Sequence, residues 1–247
     1  MSVASDLAET KWNSIHTGDV IASAYPRICA HTFLRRGIRP GGVVIDLGAN
    51  EGYFSHVMQS RFASDVIAVE PNPALIEAMP ALEGLRTVQA AISGEDGTTI
   101  LHVSADSEAS TIDARGRNAA TVGSIEVPML TLPTLMRRFG IGEIDLLKVD
   151  IEGQELGLFD SMSDGDLKAI TQMSVEFHAF CGLLPQAEVD RIKARLSALN
   201  FLVIDFSRED YDVLCVNLDR CPVSAAEAWY LKTVLRNVRG AIRAATT

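Results

Sequence analysis

The sequence holds few cysteines, and none of them is spaced for a metal. Cys29, Cys181, Cys215 and Cys221 form no Cys-x-x-Cys pair. That excludes a cysteine-held zinc site and a disulfide-stapled small domain, and leaves reduced thiols in a cytoplasmic protein as the expectation. Basic charge is also short: 22 Lys and Arg stand against 32 Asp and Glu, a net charge of −10. Nucleic-acid binding wants a basic footprint, so nucleic acid is not expected as a partner, whereas a neutral or cationic small molecule is. No apolar run is long enough to span a bilayer, and residues 1–11 lack the basic-then-apolar order of a signal peptide. Stable membrane insertion is therefore not expected. Internal repeats and low-complexity tracts are missing as well.

Apolar residues are plentiful. They make up 47% of the 247 residues, enough to bury the core of one large α/β domain or two small ones. Residues 21–37 carry apolar positions at mixed helical spacing and read as part of an N-terminal helical segment, stopped by Gly37 and Pro40-Gly41-Gly42. Then the pattern changes. Val43-Val44-Ile45, Val66-Ile67-Ala68-Val69 and residues 85–92 are short apolar runs that suit strands buried on both faces. Helical spacing separates them over residues 53–61 and 72–79, the second with Asn72 as cap and Pro73 at the first helical position. Such a strand–helix–strand–helix–strand series predicts a parallel, doubly wound sheet.

Residues 98–103 and 124–130 read as an extended pair, a β-hairpin-like insertion around a polar loop at 104–123. Further elements follow: helices over 132–139, 154–159 and 186–199, strands over 144–149 and 170–177, and an antiparallel closing pair at 201–206 and 211–216. A last amphipathic helix, 225–243, carries Lys232, Arg236, Arg239 and Arg243. It reads as a solvated or subunit-packing face, compatible with a homo-oligomer.

In an open parallel sheet a ligand sits beyond the carboxyl ends of the strands, where strand order reverses. The first strand ends in Asp46-Leu47-Gly48-Ala49-Asn50-Glu51-Gly52. A pyrophosphate loop would read G-x-G-x-x-G. Here the third glycine is missing, and Glu51 would repel phosphates. An acidic loop suits a sulfonium and an ammonium group better. The second strand ends in Glu70, roughly twenty residues after Gly48, where a carboxylate accepts ribose hydroxyls in dinucleotide folds. Alone, Glu70 would read as a surface acid; with Asp46 and the two glycines it marks a nucleoside site.

Asp46-Leu-Gly-Ala-Asn-Glu-Gly-Tyr-Phe-Ser55, Val69-Glu-Pro-Asn-Pro73 and Leu146-Leu-Lys-Val-Asp-Ile-Glu-Gly-Gln-Glu155 resemble the FkbM-type family of O-methyltransferases that use S-adenosyl-methionine (SAM). The likeness spans roughly residues 43–180, and the Lys-Val-Asp-Ile-Glu-Gly segment is its most specific part. It implies a class I methyltransferase fold, Rossmann-like, with a seven-stranded mostly parallel sheet and helices on both faces. The domain would occupy residues 43–220, between the N-terminal segment 1–42 and the terminal helix 221–247. It implies SAM as cofactor and a hydroxyl of a sugar, glycan or secondary metabolite as acceptor. Carried over, Asp46, Gly48, Asn50, Gly52 and Tyr53 would line the methionine end. Glu70 would hold the ribose, Pro71 and Asn72 would border the adenine, Ala91 and Ile92 would sandwich it, and Asp150 would close the pocket. Thr131-Leu132-Pro133 departs from the family's usual Thr-Leu-Asp.

An alcohol is a weak nucleophile and needs a general base or a metal. His178 is the expected base, since imidazole titrates near neutrality. Asp150 and Glu176 share that strand-end edge and are the expected ligands if Mg²⁺ takes part, with His178 as a possible third. Glu152 and Glu155 read as helix N-terminal acids, with Lys148 a partner for one of them. His16, His31, His56 and His102 show no partner pattern and read as structural or surface residues. A nicotinamide-dependent oxidoreductase and a non-catalytic SAM-binding subunit are the competing readings. The acidic two-glycine loop counts against the first, and intact Asp46, Glu70, Asp150 and His178 against the second.

Overall fold

The computed structural model describes residues 19–104, 111–112, 121–207 and 209–239. The chain enters through a tight antiparallel hairpin, β1 (Arg27–Ile28) and β2 (His31–Thr32), followed by a 3-10 turn at Arg35–Gly37. The helix expected over 21–37 does not form. The hairpin turn holds Cys29 and Ala30 at φ 47 and 64, the left-handed region that a right-handed helix never visits. A distant carboxylate stabilises it: Asp212 accepts the Thr32 N–H at 3.0 Å and the Thr32 hydroxyl at 2.8 Å. The remainder of the expected N-terminal helical segment, residues 1–18, lies outside the described residues.

The alternation then follows as expected: β3 (Val43–Leu47), α1 (Tyr53–Phe62), β4 (Asp65–Glu70), α2 (Pro73–Ala78) and β5 (Leu85–Gln89). Asn72 caps α2 by accepting the Ala74 N–H, with Pro73 where its missing N–H costs nothing. The run expected as one strand over 85–92 is divided. After β5, β6 (Ala91–Ile92) leaves for a second sheet with β7 (Gly97–Ser104) and β8 (Thr121–Leu130), in the order β6-β8-β7. Strands β7 and β8 are the expected antiparallel pair. Of the loop between them, Thr111 and Ile112 are described; the rest of that expectation lies outside the described residues.

Next come α3 (Leu132–Phe139), β9 (Leu146–Val149), α4 (Glu155–Ser161), α5 (Asp164–Lys168), β10 (Gln172–Val175), α6 (Gln186–Ala198), β11 (Phe201–Asp205) and β12 (Val213–Asn217). Helix α5 has too few residues for a periodic signal; a Ser163–Asp166 capping box starts it. The main sheet runs β5-β4-β3-β9-β10-β12-β11, and within it β12 runs against its neighbours. This is the seven-stranded, mostly parallel sheet of the class I methyltransferase fold. Order reverses between β3 and β9, so their carboxyl ends frame a crevice.

Alternation along each strand divides the core. Ile45, Leu47, Ile67, Val69, Leu147 and Val149 pack on one face with Leu132, Leu158 and Ile192 from α3, α4 and α6. Val44, Val66 and Leu146 pack on the other with Phe54, Val57 and Phe62 of α1 and with Ile28 and Phe33 from the hairpin. The terminal helix begins as α7 (Ala225–Trp229) and continues through a π-helical stretch, Tyr230–Leu235. Its Leu231 is buried against Leu34, Ile204, Phe206 and Leu214. Arg239 donates to the Tyr25 carbonyl at 2.7 Å and to the Thr32 hydroxyl, tying the helix to the hairpin. Among the described residues no helix is long and apolar enough to cross a membrane.

Candidate active site

The carboxyl ends of β3, β4, β9 and β10 open into one cavity of about 850 Å³, within the size range of cofactor and substrate sites. Gly48, Asn50, Tyr53, Glu70, Pro71, Ala91, Ile92, Asp150, Glu176 and His178 all line it. Asp46, Gly52 and Asn72, expected in the cofactor wall, do not line it. Asp46 is fully buried and faces inward, accepting the Ser55 hydroxyl at 2.7 Å. Asn72 spends its side chain on the α2 cap.

The two glycines have a reason within the chain itself. A Cβ on Gly48 would stand 1.7 Å from the Asp150 carbonyl oxygen, and one on Gly52 would stand 3.0 Å from the Met79 side chain. Both have positive φ. They let the loop close against the chain's own backbone and side chains. Asn50, at φ 50, makes the remaining left-handed bend.

Glu70 holds that loop. Its Oε2 accepts the Asn50 N–H at 3.0 Å and its Oε1 accepts the Asn72 N–H at 2.9 Å. Burial raises the carboxyl above its usual range, and the two N–H groups offset part of that rise. Each oxygen keeps lone-pair capacity toward the cavity.

Lys148 joins β3 to β9. Its ammonium donates to the Gly48 carbonyl at 2.6 Å and stands 3.2 Å from Asp46 Oδ1 and 3.5 Å from Asp150 Oδ2. The expected pairing with Glu152 or Glu155 is not made. Burial alone would lower its pKa, but Asp46 and Asp150 raise it above the usual lysine range, so it is charged. Beyond it, Glu152 takes φ 51 and Gly153 φ 98. A left-handed glutamate beside a site is a strained backbone; its carbonyl accepts the Thr111 hydroxyl at 2.9 Å.

At the far end the charges crowd. Burial would raise the Asp150 carboxyl, yet Lys148, His31 and His178 hold it well below the usual range. Glu176 is pushed up to about 8, by burial and by the neighbouring Asp150. His178 places Nδ1 2.7 Å from buried Glu155 Oε1 and Nε2 3.4 Å from Glu152 and 3.7 Å from Asp150. Burial would lower its pKa, but Glu152 and Glu155 outweigh burial and lift it to about 11. An imidazole so placed carries a proton at neutral pH and has no room for another. The near-neutral base expected at His178 is therefore replaced by an imidazolium that holds three acids together.

Three residues absent from the expected set belong to this cluster: Glu152, whose Oε2 faces His178 Nε2, and two more. Glu155, read as a helix-terminal acid, is the buried partner of His178. His31, read as structural or surface, is fully buried with Nε2 3.8 Å from Asp150 Oδ2. One ligand-type atom from each of His31, Asp150 and Glu176, and separately of Asp150, Glu152 and His178, lies within 4.8 Å of the others. The expected Asp150–Glu176 pair does converge, but the third group beside it is His31 rather than the expected His178; an imidazole in either place is a ligand that magnesium does not favour.

The Methyltransferase FkbM domain, as a family model, matches residues 46–203, a span that contains Asp46, Glu70, Asp150 and His178. The chain belongs to the FkbM methyltransferase family. Methyltransferase sdnD of Sordaria araneosa is 24% identical over 211 residues, covering 68% of this chain and 82% of that protein. The 31-O-demethyl-FK506 methyltransferase FkbM of Streptomyces tacrolimicus is 28% identical over 188 residues, covering 62% and 72%. Among solved structures, a fibrillarin pre-rRNA processing protein of Methanococcus jannaschii aligns with a TM-score of 0.42 at 13% identity, over 73% of this chain and 68% of that one. Within the FkbM pattern the departure at Pro133 is compensated. Thr131 caps α3, and Asp96, from the turn before β7, accepts the Thr131 N–H at 2.7 Å and the Thr134 hydroxyl at 2.6 Å. The acid missing from the helix start arrives from another loop.

Proposed function

We propose that this FkbM-family methyltransferase binds SAM along the β3–β4 side of the cavity and transfers its methyl to a hydroxyl lying against Asp150 and Glu176. The observation that carries the reading is the continuity of the cavity. One end holds a buried carboxylate with two backbone N–H groups on it, Glu70. The other holds a carboxylate pair of opposed character, Asp150 and Glu176, and nothing along the loop between them favours phosphate.

The residues present fit the cofactor. Glu70 offers two fixed acceptor oxygens to the ribose hydroxyls. Pro71, Ala91 and Ile92 form apolar walls for the adenine, and Asn50 and Tyr53 flank the methionine end. Glu51, Asp150 and Glu152 supply negative charge for a sulfonium and an ammonium. The same charge disfavours NAD, whose pyrophosphate would face Glu51. SAM, when bound, supplies a methyl group on a cationic sulfur, activated for in-line displacement.

The chain then has two tasks. It aligns the acceptor oxygen, which is where most of the rate gain of such a transfer originates. It also takes up the proton that the hydroxyl loses as its oxygen bonds the methyl and the methyl–sulfur bond breaks. Glu176, with a pKa of about 8, is a stronger base than an ordinary carboxylate and sits near the working pH. Asp150 stays ionised beside it and keeps the pair negative. The imidazolium of His178 orients Asp150 and Glu152. Phe180 lines the cavity with its ring 5.6 Å from that of His178 and is 49% exposed. Its open face suits the apolar face of a sugar or a polyketide ring. The FkbM relative of Streptomyces tacrolimicus is named for methylation at an oxygen of FK506, which agrees with an oxygen acceptor here.

The test is transfer of an isotopically labelled methyl from SAM across a panel of sugars, glycolipids and polyketide alcohols. The expected product is a methyl ether. Transfer to nitrogen, carbon or carboxylate, with no hydroxyl accepted, would overturn the reading. Glu176→Gln should lower turnover on the order of a hundredfold while SAM affinity holds; unchanged turnover would remove the pair from the chemistry.

A further inference from the structure

We propose that His31, Asp150 and Glu176 form a divalent-cation site suited to Mn²⁺ or Zn²⁺ rather than Mg²⁺. The inference rests on the reading of Asp150 and Glu176 as the activating pair and says how they activate.

His31 carries the argument. It is 0% exposed, and its Nε2 has no hydrogen-bond partner. A buried imidazole nitrogen left unbonded is costly, and each such group calls for an explanation. The other ring nitrogen, Nδ1, lies 3.3 Å from the Ser174 hydroxyl, which orients the ring. That nitrogen faces Asp150 Oδ2 at 3.8 Å, within ion-pair reach but beyond hydrogen-bond range. One ligand atom from each of His31, Asp150 and Glu176 lies within 4.8 Å of the other two. An ion that takes each ligand at about 2.1 Å spaces them by roughly 3–4 Å, a gap that rotation of the two carboxylates closes.

The protein builds this arrangement at some cost. The hairpin that delivers His31 turns through two non-glycine residues of positive φ, Cys29 and Ala30. The adjacent residue, Thr32, is fixed by Asp212. An oriented imidazole supported through its second nitrogen is the usual form of a metal-binding histidine. The neighbouring trio of Asp150, Glu152 and His178 is less open. There the His178 nitrogens already face Glu155 and Glu152, so its protons occupy the place an ion would take. Lys148 also faces Asp150 Oδ2, at 3.5 Å, but its ammonium is nearer to Asp46, at 3.2 Å, and to the Gly48 carbonyl, at 2.6 Å.

The donor set selects the ion. Magnesium keeps oxygen ligands and several waters, whereas manganese and zinc accept imidazole together with carboxylate. An acceptor hydroxyl joining such an ion would be acidified by it and would lose its proton to water, with Glu176 serving as a ligand in place of taking up the proton itself.

The experiment uses the full chain stripped with chelator and desalted. Mn²⁺, Zn²⁺ and Mg²⁺ are added separately, with metal content after desalting, melting temperature and SAM affinity as readouts. The expected result is about one Mn²⁺ or Zn²⁺ retained per chain with a raised melting temperature, and no such retention of Mg²⁺. His31→Gln should weaken retention roughly ten- to a hundredfold with SAM affinity kept. Glu176→Gln gives the same readout should the histidine variant fail to fold. Failure of the wild type to retain an ion, or retention unchanged in either variant, overturns the site. Full methyl transfer by the stripped protein in chelator would also overturn it, while leaving the hydroxyl-transfer reading intact. Retained ion with no hydroxyl methylation would do the reverse.

Discussion

Replacing Glu70 with alanine removes one carboxylate and has two separable consequences. In the free protein it strips the acceptors from the Asn50 and Asn72 N–H groups, now bonded at 3.0 and 2.9 Å. In the complex it also strips the acceptors proposed for the ribose hydroxyls. Hydrogen bonds to a charged group are worth about 1.5–3 kcal/mol. At 1.4 kcal/mol per decade, SAM should bind roughly ten- to a hundred-and-fifty-fold more weakly. Calorimetric titration of wild type and Glu70→Ala with SAM measures this directly. A loosened loop would also weaken binding, so a second ligand is needed. An analogue lacking both ribose hydroxyls should discriminate far less between the two proteins, and the cycle isolates the ribose contact. If SAM binds the folded variant as tightly as wild type, Glu70 is not in the site. If the hydroxyl-free analogue loses as much as SAM does, Glu70 acts through the loop alone and the ribose assignment fails.

Two further outcomes follow from the buried charges. Lys148→Met leaves fully buried Asp46 without its cation, so stability should fall by about 3–5 kcal/mol in urea denaturation; a loss well under 1 kcal/mol would mean the ion pair does not hold β3 to β9. His178 has its pKa raised from 6.5 to about 11. The stability its proton contributes is therefore complete below about pH 6.5 and fades as pH rises through about 11. The stability gap between wild type and His178→Gln should narrow steadily over that range, and a gap independent of pH would show that the imidazolium is not held by Glu152 and Glu155.

Much of the scaffold was legible in the residues. Strands β3 and β4 are β-branched apolar runs because both their faces are covered, and that pattern is local. The end of β4 at Glu70 is legible because its distance from Gly48 reflects the length of one strand–helix–strand unit. The cap at Asn72 and the extent of α3 were likewise local matters. What escaped the sequence depends on partners far along the chain. The β1–β2 hairpin replaces a plausible helix because Asp212, 180 residues from Thr32, anchors it. His31 could not be connected to Asp150 for the same reason. Gly48 stands out as a glycine in the motif, but the Asp150 carbonyl that a side chain there would strike is about a hundred residues away. Asp46 reads as a strand-end acid like Glu70, yet Ser55 and Lys148 draw it inward. His178 stands at the strand-end edge beside Asp150 as expected, but its charge state depends on Glu152 and Glu155. Both stand in the quoted motif; only the turn at Glu152–Gly153 brings them to the ring.

The central claim is that the acidic loop and Glu70 make this cavity a SAM site. Melting of the purified chain with SAM and, separately, with NAD tests it most directly, because a ligand that binds only the folded state raises its stability. The account predicts a concentration-dependent rise with SAM and none with NAD. Stabilisation by NAD but not by SAM would contradict it.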